Sequence, residues 1–210
     1  MSAQDRKDYY YKKAKQQNYR SRAAFKLMEL QTKSSILKYG DNVLEIGSSP
    51  GGWTQIIRSI TERPVISVDL NDMEPIEGVY FIRGNISNPA INERIKPYME
   101  KLHIEKFSAV LSDAMSRTSG KRDIDHSSSY LLCKRVMEIS MDLLAEGGTV
   151  VVKQFQGDLT IPFLNEWSPR FRNSRITNVA ASRESSSEVY IIFKGYISEH
   201  ETDQFSQSPL

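Results

Sequence analysis

Five apolar runs in this chain are each closed by residues able to do chemistry. VLEIG (43–47) leads into the turn SSPGGW (48–53), PVISVD (64–69) ends in Asp69, and VYFIR (79–83) is followed by Asn85. FSAVLS (107–112) is followed by Asp113, and TVVVK (149–153) ends in Lys153. Runs of this length read as buried strands, and open parallel sheets bind ligands just beyond the carboxyl ends of their strands. One polar residue at a strand end is ordinarily a cap or a turn; a succession of five points to a site. Asp69 follows Gly47 by 22 residues, the spacing at which an acid reaches ribose hydroxyls in nucleoside-binding folds.

The glycine turn narrows the ligand. Adjacent glycines let backbone approach a neighbour closely, and a helix starting there points unpaired N–H groups at whatever lies in front. The order Gly47, Ser48, Ser49, Pro50, Gly51, Gly52 does not match G-x-G-x-x-G, whose glycines bring backbone against a pyrophosphate. A P-loop is absent too, because SGK at 119–121 lacks the upstream glycine and the following Ser or Thr. A nucleoside without phosphates fits better, and S-adenosylmethionine is such a ligand. Its sulfonium favours nearby carboxylates and an aromatic face such as that of Trp53.

These residues need a frame. Further strand-like runs lie at 175–180 and 188–193, and helical patterns at 22–31, 52–61, 90–102, 127–145 and 159–167. The segment 127–145 follows Asp125, has serines available as caps, and stops before Gly147 and Gly148. Strands alternating with helices predict an α/β fold: a single doubly wound, mostly parallel, Rossmann-like sheet covered on both faces. Without repeats or linkers, the 210 residues read as one domain over 19–197, a basic N-terminal extension over 1–18 and a disordered tail over 198–210.

Composition excludes several classes. Hydrophobic residues make up 39% and charged residues 26%, as in soluble globular proteins. No apolar run approaches the ~18 residues of a membrane span and no signal peptide opens the chain, so a cytoplasmic location is expected. Cys133 is the single cysteine, read as a buried structural thiol, and His103, His126 and His200 are scattered, so no metal site is expected. The net charge of +2 hides an asymmetry: residues 1–26 hold eight Lys or Arg against two Asp. Tyr9, Tyr10, Tyr11 and Tyr19 lie among those cations. Cations for phosphates and aromatic faces for bases suit RNA.

Five stretches, in order, resemble the motifs of the FtsJ/RrmJ (RlmE) family of ribosomal RNA ribose 2′-O-methyltransferases. They are YRSRAAFKL (19–27), LEIGSSPGGW (44–53), LSDAMSRTSG (111–120), VVKQFQG (151–157) and SRESSSEVYIIFKG (182–195). The resemblance implies that SSPGGW seats S-adenosylmethionine, with cofactor positions at Gly51, Trp53, Asp69, Asn85 and Asp113. It also implies a catalytic tetrad of Lys26, Asp113, Lys153 and Glu188. Two departures stand out. Asn85 replaces a usual Asp, although an amide oxygen still accepts from an adenine amino group. SDAMSR replaces the usual SDMAPN, and Asn178-Val179 the Lys-Pro often found ahead of SR, so the wall of the RNA groove is expected to differ more than the reaction.

A ribose 2′-hydroxyl is a poor nucleophile until its proton is removed. A lysine serves as base only if burial or a neighbouring cation lowers its pKa from ~10.4. Lys153, ending a buried strand, is read as the base, Asp113 as its orienter on the cofactor side, and Lys26 with Glu188 as the substrate-side pair. The resemblance further implies an RNA partner, a uridine of the large ribosomal subunit, for a chain acting as a monomer. The same reaction on transfer RNA, or an inert RNA-binding relative, is the alternative, though inert relatives are expected to break the tetrad. A nicotinamide-dependent reductase is disfavoured by the missing G-x-G-x-x-G.

Overall fold

Period-two alternation sorts the strand residues onto two apolar faces. Val43, Val65, Leu111 and Val151 bury toward one side, and Leu44, Ile66, Val110 and Val152 toward the other. The computed structural model describes residues 3–116, 119–181 and 187–198, with backbone alone for 3–8. The expected tail from residue 199 onward lies outside the described residues, as do 182–186 of the fifth motif.

The strands are β1 (Val43–Ile46), β2 (Val65–Asp69), β3 (Val79–Arg83), β4 (Phe107–Ser112), β5 (Leu144–Phe155), β6 (Phe171–Thr177) and β7 (Glu188–Tyr196). They form one sheet in the order β3-β2-β1-β4-β5-β7-β6. Strands β1 to β5 run parallel, while β7 is antiparallel to both β5 and β6. This is the doubly wound, mostly parallel sheet that the alternation of elements predicts. The helices are α1 (Ala3–Gln16), α2 (Ala23–Ser34), α3 (Gly52–Thr61), α4 (Ile91–Lys101), α5 (Arg122–Leu143) and α6 (Thr160–Trp167). Leu27 and Leu30 of α2 and Trp53, Ile56 and Ile57 of α3 cover one face; α4, α5 and α6 cover the other with Ile95, Met137 and Phe163. Among the described residues, no helix is long and apolar enough to cross a membrane.

Three elements differ from expectation. The strand expected at 175–180 is β6, which begins at Phe171 opposite Tyr196 and ends at Thr177, leaving Val179 to bury outside the ladder. The helix expected at 127–145 starts at Arg122, because Asp125 caps the preceding turn, accepting the N–H groups of Ser119 and Gly120, rather than marking the helix start. It ends at Leu143, and the residues around Gly147 and Gly148 join β5. Finally, residues 3–16 of the basic extension form α1, which lacks an apolar stripe and docks through Tyr10 and Ala14 onto Phe25.

Candidate active site

The same alternation that builds the core delivers the charges. Lys153 lies two residues beyond Val151, and Asp113 two beyond Leu111, so both continue the face covered by α2 and α3. From the antiparallel β7, Tyr190 and Glu188 precede Ile192 by two and four residues and share that face. Lys26 meets them from α2, where only 6% of it is exposed.

The four charges form two ion pairs. Lys26 Nζ lies 2.7 Å from Glu188 Oε2, and Lys153 Nζ lies 3.1 Å from Asp113 Oδ1. Lys153 Nζ also donates to the Asp113 carbonyl at 2.6 Å. Between the pairs stands Tyr190, whose hydroxyl donates to Asp113 Oδ1 at 2.7 Å and whose ring lies 6.0 Å from Lys26 Nζ. Burial, then the Asp113 charge, hold the Tyr190 hydroxyl well above the usual phenol range, so it stays a donor. Buried charges are tolerated only when paired and hydrogen-bonded, and each carboxylate here has its ammonium. Behind Lys153, the Cys133 thiol donates to its carbonyl at 3.0 Å, and burial pushes that thiol up to about 12.

Beside the tetrad lies an open cavity of about 240 Å³, lined by Ser21, Arg22 and Lys26 from one side, Gly47 to Pro50 and Gly52 from the turn, and Trp53 and Asp113. The buried Ser21 and Ser48 hydroxyls lack partners in it. The glycines also serve a contact within the chain. A Cβ on Gly52 would fall 2.2 Å from Ser21 Oγ, and one on Gly51, at φ +109°, would fall 3.0 Å from Arg20 Cδ. Their missing side chains admit the strand of chain entering α2. Arg20 clamps that strand down, donating to the Pro50, Glu74 and Pro75 carbonyls. Gln55 of α3 holds its backbone at Asn18 and Arg20.

Of the other expected cofactor residues, Trp53 and Asp113 line this cavity, whereas Asp69 and Asn85 lie beyond its lining. Trp53 is 2% exposed, donates its indole N–H to the Ala23 carbonyl at 2.9 Å and stacks on Tyr190 at 5.8 Å, so one ring face is already taken. Asp69 abuts the turn: its two carboxylate oxygens accept the Ser49 and Asn71 N–H groups at 2.9 and 2.8 Å. Asn85 lies further out and is exposed; its amide oxygen accepts the Ser87 N–H at 2.9 Å. The Gly84 N–H bonded to the Asp69 carbonyl keeps these two strand ends together.

Two residues of the site went unread in the sequence. Tyr190 was signalled by its spacing of two from Glu188 on a strand. Glu45 had no signal within the apolar run VLEIG. It is 1% exposed, accepts the Thr54 hydroxyl at 2.6 Å, and is driven up to about 8 by burial, against the Thr54 bond and with help from the Asp113 and Asp69 charges.

A glycine turn after β1, an acid ending β2, a charge after β4 and a lysine within β5, which runs two residues past the expected strand end at Lys153, define in this doubly wound sheet the Rossmann-like methyltransferase class. Residues 19–196 match the FtsJ-like methyltransferase family, and the chain belongs to it. A protein of Picrophilus torridus named ribosomal RNA large subunit methyltransferase E is 51% identical over 90% of this chain and 97% of its own length. One of the same name from Thermoplasma acidophilum is 49% identical over 97% of this chain and 98% of its own length. The crystal structure of a Plasmodium falciparum protein described as a ribosomal RNA methyltransferase superposes with a TM-score of 0.78 at 32% identity, covering 86% of this chain and 100% of its own. The family is of the S-adenosylmethionine-dependent kind.

Proposed function

We propose that this chain transfers a methyl group from S-adenosylmethionine to the ribose 2′-hydroxyl of a uridine in large-subunit ribosomal RNA, as a cytoplasmic monomer. One observation carries the reading: two buried lysine–carboxylate pairs, bridged by Tyr190, stand at the edge of the cavity beside the glycine turn. Homologues named for that substrate support the RNA assignment. One chain holds all four charges, so no second copy is required.

The cavity suits the cofactor. The orphaned Ser21 and Ser48 hydroxyls and the α3 N-terminus are hydrogen-bonding groups for a polar amino-acid tail, Asp69 is an acceptor for ribose hydroxyls, and Asn85 for an adenine edge. Gly51 keeps the turn open beside Arg20, and Trp53 closes the wall. Bound there, the cofactor supplies an electrophilic methyl group. Once its ammonium has released a proton to solvent, the neutral Lys153 amine takes the 2′-hydroxyl proton onto Nζ as the oxygen attacks the methyl group, and Asp113 holds Nζ in place through carboxylate and carbonyl together. Lys26 and Glu188, held at 2.7 Å, orient the substrate hydroxyl from the other side. The exposed Lys12 and Lys15 on α1 contribute phosphate contacts.

The test is transfer of labelled methyl from S-adenosylmethionine to ribosomal RNA purified from cells lacking the gene, with 2′-O-methyl mapping of the product. A single new site in the large-subunit RNA is the expected result. Label found in transfer RNA alone would move the substrate, and cofactor binding without label in any RNA would make the chain an inert relative.

A further inference from the structure

The tetrad separates two hollows, and each ion pair gives one member to each. Lys26 and Asp113 line the cavity of the glycine turn, whereas Lys153 and Glu188 line a second, narrower cleft toward α5. We propose that this second cleft seats the base of the acceptor nucleotide, with Met115 and Phe155 as its apolar walls and the Gln154 amide as the partner of its polar edge. The proposal rests on the RNA methylation proposed above and adds the place and chemistry of the base.

Three observations support it. Met115, at the mouth, is 49% exposed although large and apolar, and it belongs to the stretch SDAMSR in which this chain departs from the motif it resembles. Phe155 lines the same cleft, half-buried, two residues past Lys153. Gln154 is 1% exposed, and neither its amide nitrogen nor its amide oxygen has a partner. Leaving such a group unpaired is unfavourable, and a ligand edge that offers both a donor and an acceptor relieves it. The other polar side chains of the cleft are engaged: the Ser129 hydroxyl accepts the Phe155 N–H, and Lys153 and Glu188 hold their ion pairs. A pyrimidine edge carries the complementary groups side by side. The cleft has no room for a water as it stands, so the base enters as Met115 swings aside; its unbranched side chain has three rotatable bonds.

The test uses synthetic RNA carrying the mapped methylation site, either intact or with the target base removed to leave an abasic ribose. On intact RNA, Met115→Ala and Gln154→Leu should each lower kcat/KM about tenfold, the scale of one stacked or hydrogen-bonded base. Met115→Leu should stay within about twofold of wild type, and S-adenosylmethionine affinity by calorimetry should not change in any variant. On abasic RNA, all variants should match wild type. If Gln154→Leu fails to fold, Gln154→Met keeps the length without the amide and takes its place. Equal losses on intact and abasic RNA, or none on intact RNA, overturn the base pocket alone. A wild-type protein that binds the cofactor but methylates no RNA overturns the proposed function, and the base pocket with it.

Discussion

The two flanks of the glycine turn hold their polar groups in opposite ways. On the flank of β2 and β3, Asp69 and Asn85 are anchored by backbone N–H groups of the loops that follow them and, for Asp69, of the glycine turn at Ser49, and stay partly or fully open to solvent. On the flank of β4, β5 and β7, the acids are anchored by lysine side chains, with both lysines under 10% exposed. Binding hydroxyls and amines needs acceptors at fixed places, which loop amides can provide. Moving a proton needs charges whose energies depend on one another, which only desolvated side-chain pairs provide. In the proposed reaction, this difference would separate recognition from chemistry within one row of strands.

The largest effect is expected on the paired flank. Lys153→Ala should fold and bind cofactor, yet lose ~10²–10⁴-fold in single-turnover methylation at saturating RNA and cofactor. A loss below about fivefold would transfer the role of base to Lys26. On the open flank the expected effect is smaller and of a different kind. Asp69→Ala should weaken S-adenosylmethionine by about tenfold to a hundredfold in calorimetry, with turnover recovered at saturating cofactor. Unchanged affinity would take Asp69 out of the cofactor site and dissolve the contrast.

Glu45 lies beneath the boundary and tests it through stability. Its carboxyl ionises near 4.5 in the unfolded chain and near about 8 in the folded one. Between those values the unfolded state loses a proton that the folded state keeps, so this stabilisation is complete below about pH 4.5 and is lost as pH rises toward about 8. Glu45→Gln should flatten the decline of thermal stability over that window. Parallel curves for the two proteins would mean that Glu45 is charged when folded. The smallest effect belongs to α1. Lys12→Ala combined with Lys15→Ala should lower the salt slope of RNA binding by roughly 1.4–1.8 and leave cofactor affinity unchanged. An unaltered slope would reduce α1 to a cover for Phe25.

Much of the frame was legible because it obeys short-range periodicity. Strands β3 and β4 and helix α3 fall where alternation and helical spacing place them, and the topology follows from strand–helix order. What was missed depends on contacts distant in sequence. Helix α1 carries no apolar stripe, and its docking onto Phe25 is a tertiary event. A glycine shows only that something comes close, so the approach of Arg20 and Ser21 to Gly51 and Gly52 was not readable from the turn itself. Trp53 looked like a free aromatic face until Tyr190, from a strand far along the chain, was stacked on it. Glu45 resembled its apolar neighbours in position and differs from them only in what its burial does to a proton.

The hairpin partner β7 has a consequence for how this sequence can drift. Lys153 is opposite Tyr190, and Phe155 opposite Glu188, in an antiparallel ladder. Side chains alternate along a strand, so deleting Ile191, between Tyr190 and the anchored Ile192, would turn both Tyr190 and Glu188 to the α5 side. Such a deletion would remove a carboxylate and a hydroxyl from the site in one mutational step. Length changes in the connection between Thr177 and Glu188 leave that parity untouched. Insertions and deletions compatible with activity should therefore collect in that connection, while β7 itself changes by substitution only.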